Sequence, residues 1–457
     1  MAASEQELRA AIAVTRFGMG ARLGEIAEAT SDPRGWLAAQ IRHDGADEPS
    51  FGDGGRPTVA AGMLQLAALR QQSQATVDPE TRKHVMAPLK DQLMIEALAK
   101  ARLAASTPAG FRERWTLFWC NHFTVAAKRL DVQVAVGPFE REAIRPNVFG
   151  RFQDLLEAST RHPGMLLYLD QFQSIGPDSI AAGRQGRGGL NENLAREILE
   201  LHTVGPDAGY TQSDVTEFAR ALTGWSMGGA KSRDDERGVF VYRAAMHEPG
   251  PRVIMGRRYD QTDQDQAHAI LADLANDPRT SRRIARKLAA HFVADDPPPA
   301  LTAKLDAAWR GSRGDMAAVA RALIASPEAW APRAAKFKTP YEFVISAYRA
   351  ADVTPEDGFH DVGGPLTTLG QRPFFAPQPN GWSDLADDWA APDAIVKRLT
   401  WAQAFAGART PSGLPLDVAQ AALGARLGET TRQAVARAET RPEAFTILLL
   451  SPEFQRR

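Results

Sequence analysis

Gly189-Leu190-Asn191-Glu192-Asn193-Leu194-Ala195-Arg196-Glu197-Ile198-Leu199-Glu200-Leu201-His202-Thr203-Val204-Gly205 reads as one short helix with two unlike faces. At about 100° per residue, Asn193, Arg196, Glu197 and Glu200 fall within roughly a third of the circumference. Leu194, Ala195, Ile198, Leu199 and Leu201 cover the other side, and His202 lands in the middle of that apolar surface. A helix that buries one stripe and gathers acids, an arginine and an amide on the other is a unit of a helical fold. It is also a candidate site.

The same i, i+3, i+4 spacing predicts further helices over 91–104, 111–128, 149–160, 213–225, 263–275, 280–292, 315–324, 340–351 and 393–405. Thr211 followed by Asp214, and Pro340 at a first turn, are start signals for two of them. The fold class is mainly α, a multihelical globular protein with one small β-hairpin. The hairpin is expected from the β-rich runs 238–243 and 252–256, separated by turn residues that include His247 and Pro249. Loops are expected over 44–58, 175–189, 227–238 and 353–385. The second carries Gly176, Gly183, Gly186, Gly188 and Gly189 and leads straight into the polar helix.

Composition narrows the function. Fifty-four Lys and Arg against 55 Asp and Glu leave a net charge of -1, so no global field draws nucleic acid or an anionic membrane. A hydrophobic content of 44% over 457 residues supports a large core. The single cysteine, Cys120, excludes an internal disulfide or a cysteine-rich metal site. The first dozen residues lack the basic start and long apolar run of a secretory leader, and no segment approaches a membrane span. The expected location is cytoplasmic. Walker, His-Glu-x-x-His and Gly-x-Ser-x-Gly motifs are all absent.

A second helix adds to the first. Phe111, Trp115, Phe118, Trp119, His122 and Phe123 form an aromatic stripe with His122 near its centre. Two histidines, His122 and His202, therefore sit on core-facing sides of helices. Each can be a core histidine holding one hydrogen bond, or the two can face one cavity with Asn121 and Glu197 as an acid/base group. Arg196 lies four residues from both Glu192 and Glu200, a ladder that solvated helices also use. Asn191 and Asn193 can cap the helix or bind a ligand. His247 is either an exposed turn histidine or a site residue, Asp170 closes a site or ends a helix, and Trp382 is a ligand platform or a loop anchor. Glu197 and His202 point roughly 140° apart, which disfavours joint metal chelation. No metal or cofactor is assigned.

Arg16-Phe-Gly-Met-Gly20, Phe118-Trp-Cys-Asn-His-Phe123, 161–170, 191–205, Tyr210-Thr-Gln-Ser-Asp-Val215, 218–225 and Pro379-Asn-Gly-Trp382 together resemble the bacterial domain-of-unknown-function 1800 family. The resemblance spans almost the whole chain. It implies one family unit over 1–457, with a sub-division into a helical core (1–235), the β-hairpin (236–258) and a C-terminal helical part (259–457). It also implies that relatives are often exported, and a functional partnership with a protein of alkaline-phosphatase-like or sulfatase-like fold. The chain departs from the family pattern in lacking an evident leader, and in placing Cys120 where another histidine is frequent.

Two functions are expected. One is an enzyme, a hydrolase or lyase acting on a polar substrate in a pocket walled by the helices of His122 and Glu197/His202. There Glu197, His202 and His122 are the catalytic candidates, and Asn121, Asn191, Asn193, Arg196, Asp170, His247 and Trp382 the substrate-binding ones. The other is a non-catalytic binding or assembly module that works with the alkaline-phosphatase-like partner.

Overall fold

The computed structural model describes residues 4–52, 55–76, 78–185 and 189–457. Gly186 and Gly188 of the glycine-rich approach lie outside these residues. Helices dominate, and six of them position the site: α1 (Ala87–Ser106), α2 (Gly110–His122), α3 (Asn193–Glu197), α4 (Gln212–Leu222), α5 (Pro278–Phe292) and α6 (Pro340–Ala350).

Local chemistry sets their ends. Reciprocal capping boxes start α4 (Thr211 with Asp214) and α6 (Thr339 with Glu342), while Asp277 caps α5 ahead of Pro278. α2 stops at His122 rather than running on to 128, because Phe123 leaves helical geometry and the Thr124 hydroxyl donates to the Asn121 carbonyl at 2.6 Å. α3 is only five residues long and passes directly into a π-helical turn, Ile198–His202. Such widened turns occur mostly as local insertions and are frequent at functional sites.

The small β structure is two antiparallel pairs: β1 (Trp225–Met227) with β2 (Phe240–Tyr242), and β3 (Arg252–Ile254) with β4 (Arg257–Tyr259). This corrects the expected pairing of 238–243 with 252–256. Each run finds a nearer partner, and the second closes on itself through Met255 and Gly256, both at positive φ, the backbone that a two-residue hairpin turn requires. The expected loops are also partly helical, with Ile180–Gln185 in one and Gly358–Thr368 in another.

Two large apolar cores form. The first is aromatic, built on Phe111, Trp115, Phe118, Trp119 and Phe123 of α2 and its end, packed on Phe149, Phe152, Phe292 and Trp309. The second gathers Phe343, Tyr348, Phe405, Phe445 and Phe454. α1 lends Leu93 to the first and Ala97, Ala101 and Ala104 to the second, so it spans the seam between them. Among the described residues no helix is long and apolar enough to cross a membrane.

Trp115 anchors the aromatic core. It is fully buried, stacks on Phe149 at 5.8 Å between ring centroids, and donates its indole N–H to the Val148 carbonyl at 2.7 Å. Trp115→Ala is expected to cost about 3–5 kcal/mol of unfolding free energy, read from urea denaturation. A loss below about 1 kcal/mol would mean that the core does not depend on this ring.

Candidate functional site

α2 carries two different stripes on nearly opposite sides, about 150° apart. Trp115, Trp119 and His122 face the aromatic core, whereas Arg114, Leu117, Cys120 and Asn121 face the seam between the cores. The seam holds a cavity of about 140 Å³. That is close to the volume that accepts benzene in a protein interior.

Charged walls surround it. Arg114 donates from Nε to the Gly18 carbonyl at 2.6 Å and from Nη1 to Glu342, yet its buried Nη2 has no hydrogen-bond partner among the described residues. Glu342 also receives Nη2 of Arg457 at 2.9 Å, and Arg457 Nη1 donates to the His291 carbonyl at 2.7 Å. The two guanidiniums hold the Glu342 carboxyl far below the ordinary range although burial acts to raise it. Across the wall, the His291 Nδ1–H donates to Asp384 at 2.8 Å, which leaves Nε2 as the acceptor end of the ring. That buried Nε2 has no hydrogen-bond partner among the described residues. Burial lowers the His291 pKa against the pull of Asp384, and Asp384 itself sits near 2, held there by His291 and Lys336 against burial. The ring is therefore neutral at pH 7. Lys100 and Glu140, paired at 2.7 Å, complete the polar lining beside Cys120, whose thiol burial keeps protonated.

Asn121 and Trp382, both expected at the site, line this cavity. They hold each other across 261 residues: the Trp382 N–H donates to Asn121 Oδ1 at 2.8 Å, and Asn121 Nδ2 donates to the Trp382 carbonyl at 2.9 Å. Gly381 lies at φ +82°, and a Cβ there would meet the Asn121 carbonyl and Oδ1 at 2.5 Å. Only glycine fits this approach.

The other expected residues lie elsewhere. His122 and His202 do converge, with ring centroids 6.2 Å apart, but Phe123 packs at 4.7 Å from one ring and 5.0 Å from the other. Aromatic packing fills the space where a pocket walled by their two helices was expected. His122 Nε2 donates to the His202 carbonyl at 3.1 Å, and Nδ1 accepts from Lys287 at 3.0 Å. His202 Nδ1 is buried without a partner.

On the polar face, Arg196 bonds Glu192 at 3.0 Å and Gln212 at 2.8 Å. Glu197 is half-buried and makes no hydrogen bond or ion pair among the described residues; burial and then Glu200 push it up to about 6. Its charge in turn helps burial raise Tyr168 to about 12. Asn191 ties the Leu169 carbonyl to the Asn193 N–H, and the Asn193 side chain is exposed. Asp170, at positive φ, pairs with Arg129 at 2.6 Å. His247 bonds the Thr223 carbonyl at 3.0 Å.

The model of the family described as "Protein of unknown function (DUF1800)" matches residues 12–456. The chain belongs to that family. Neither the curated proteins nor the solved structures provide a match.

His291, Asp384, Arg114, Glu342 and Lys287 were not singled out from sequence. One local signal existed: Arg283, Lys287 and His291 recur every four residues on α5, a cationic stripe on an otherwise apolar-faced helix. Among the described residues no group of three or more His, Cys, Asp or Glu could hold a metal ion.

Burial holds His202 near 3 and His122 well below its ordinary value, with Arg283 and Lys287 adding to both. Their folded pKa values lie below the unfolded value of 6.5, so the unfolded state binds more protons as pH falls from about 6.5 toward 3. Stability is therefore lost over that window. His202 alone is expected to remove on the order of 2 kcal/mol between pH 6.5 and 5. Urea midpoints at the two pH values check this, and His202→Phe should flatten the dependence.

Proposed function

We propose that the chain is an enzyme that moves a proton on a small polar substrate held in the seam cavity, in a hydrolysis or an elimination, with His291 as general base. The observation that carries this reading is the His291 ring itself. Asp384 fixes one nitrogen as the donor, and the other is left with a lone pair and no partner among the described residues, in a residue of the cavity wall. A carboxylate behind an imidazole sets its tautomer and stabilises the imidazolium that forms when the ring takes a proton. Arg114 supplies the complement. Its unpartnered Nη2–H is a donor in the same lining, suited to an oxygen that gains negative charge as a carbonyl is attacked or an enolate forms. Asn121 and Trp382 set the shape of the chamber.

Buried polar atoms without partners are uncommon, and each carries a desolvation cost that a ligand can recover. A donor and an acceptor orphaned in one cavity lining fit a substrate with both hydrogen-bonding roles. Glu197, half-buried with its pKa near 6, is the second proton-transfer candidate. The cytoplasmic expectation is kept, supported by the single buried Cys120.

The test is turnover of p-nitrophenyl acetate for hydrolysis and of malate for elimination, with His291→Gln and Glu197→Gln beside the wild type. His291→Gln is expected to lower kcat about 10²–10⁴-fold while circular dichroism and the unfolding midpoint stay close to wild type. A loss confined to Glu197→Gln would move the chemistry to the polar face of α3 and remove His291 from it. Wild-type protein inert toward both substrates would favour the binding-module reading, with its alkaline-phosphatase-like partner.

A further inference from the structure

We propose that Lys287 is a reactive amine that condenses reversibly with small carbonyl compounds bearing a carboxylate, the 2-oxo acid class, to form an imine. The amine stands one turn from the His291 base on α5 and Asp384 acts on both, but the condensation needs no proton transfer by His291.

The argument starts from charge. Arg283 and Lys287 stand one turn apart on α5, and among the described residues neither forms an ion pair with a carboxylate. Like charges four residues apart on a helix repel. Most partly buried cations in this chain have an acid beside them, as Lys100 has Glu140 and Arg145 has Glu113. A half-buried pair with no acid in ion-pair contact among the described residues, and only Glu200 and Asp384 acting from further off, is a place for an anion. Arg283 is anchored by its Nη1, which donates to the Leu201 carbonyl and, at 3.4 Å, to the Thr203 carbonyl. It therefore offers a fixed positive charge beside the amine.

Hydrogen bonding prepares the nitrogen. Among the described residues the only hydrogen-bond partner of Lys287 Nζ is His122 Nδ1 at 3.0 Å. Because His122 Nε2–H is committed to the His202 carbonyl, Nδ1 can only accept, so it fixes the position of Nζ. Burial and Arg283 lower Lys287 to about 8, while Asp384 acts the other way; His122 and His202, both neutral, are the other titratable groups around it. A lysine desolvated beside a second cation is a recognised route to an amine nucleophile near neutral pH. In the condensation, Nζ of the neutral amine bonds to the carbonyl carbon and the C=O oxygen leaves as water with the two N–H hydrogens. The product is a C=N bond, and no oxidant or reductant is consumed.

The probe is glyoxylate with sodium cyanoborohydride, which reduces the imine to a stable carboxymethyl-lysine that peptide mass spectrometry locates on the full-length protein. At pH 7.5, Lys287 is expected to be labelled about tenfold faster than the exposed Lys90 and Lys231, because it carries far more free amine. Its labelling rate should rise with pH to a half-point near 8, as the ammonium loses its proton. Lys287→Arg should abolish this label and leave those of Lys90 and Lys231 unchanged. Labelling of Lys287 no faster than Lys90 would overturn the proposal. Equal rates with uncharged acetaldehyde and with glyoxylate would overturn the role given to Arg283.

Discussion

A single buried carboxylate, Glu342, ties the architecture together. It receives Arg114 from the helix that organises the aromatic core and Arg457 from the far end of the chain, while belonging itself to the first turn of the helix that opens the second core. Three charges removed from water survive only because each finds its partners; stripping one member from such a cluster typically costs about 3–5 kcal/mol. The cluster also governs the cavity. Arg114 is anchored through Nε and Nη1 while its Nη2 has no partner among the described residues, and His291 is held in place partly through the hydrogen bond from Arg457 to its carbonyl.

What the sequence made legible was what obeys a local period. The stripes of α2 and α3, the cap of α4 and the proline start of α6 follow from residues within a few positions of one another, and the structure has them. Val59–Ala75 was not foreseen because alanine and glutamine leave it no apolar stripe, and it buries only Val59, Gly62 and Leu66. Strand pairing was misjudged because short runs choose partners by turn geometry. The π turn after Glu197 was hidden too, since a widened turn has no composition of its own.

The site shows the same division. Asn121 and Trp382 were recognisable as unusual residues, but their mutual hydrogen bonds join positions that no window of sequence contains. His291, Asp384 and Arg114 come from three distant segments, and a cavity wall assembled that way has no spacing to read. His122 and His202 approach each other, one of the two arrangements the sequence allowed. Periodicity could not say that Phe123 would pack against both rings, nor that a lysine from a third helix would claim the Nδ1 of His122.

The Gly381 turn has a kinetic corollary. Helices and hairpins form from neighbours, but the junction of Asn121 with Trp382 closes a loop of 261 residues, and the entropy of that closure must be overcome before any contact across it is rewarded. Helical segments can thus gather into partly collapsed species while the chamber between them is still unsealed. Sealing of the chamber accordingly waits on a contact between distant segments rather than on any local one.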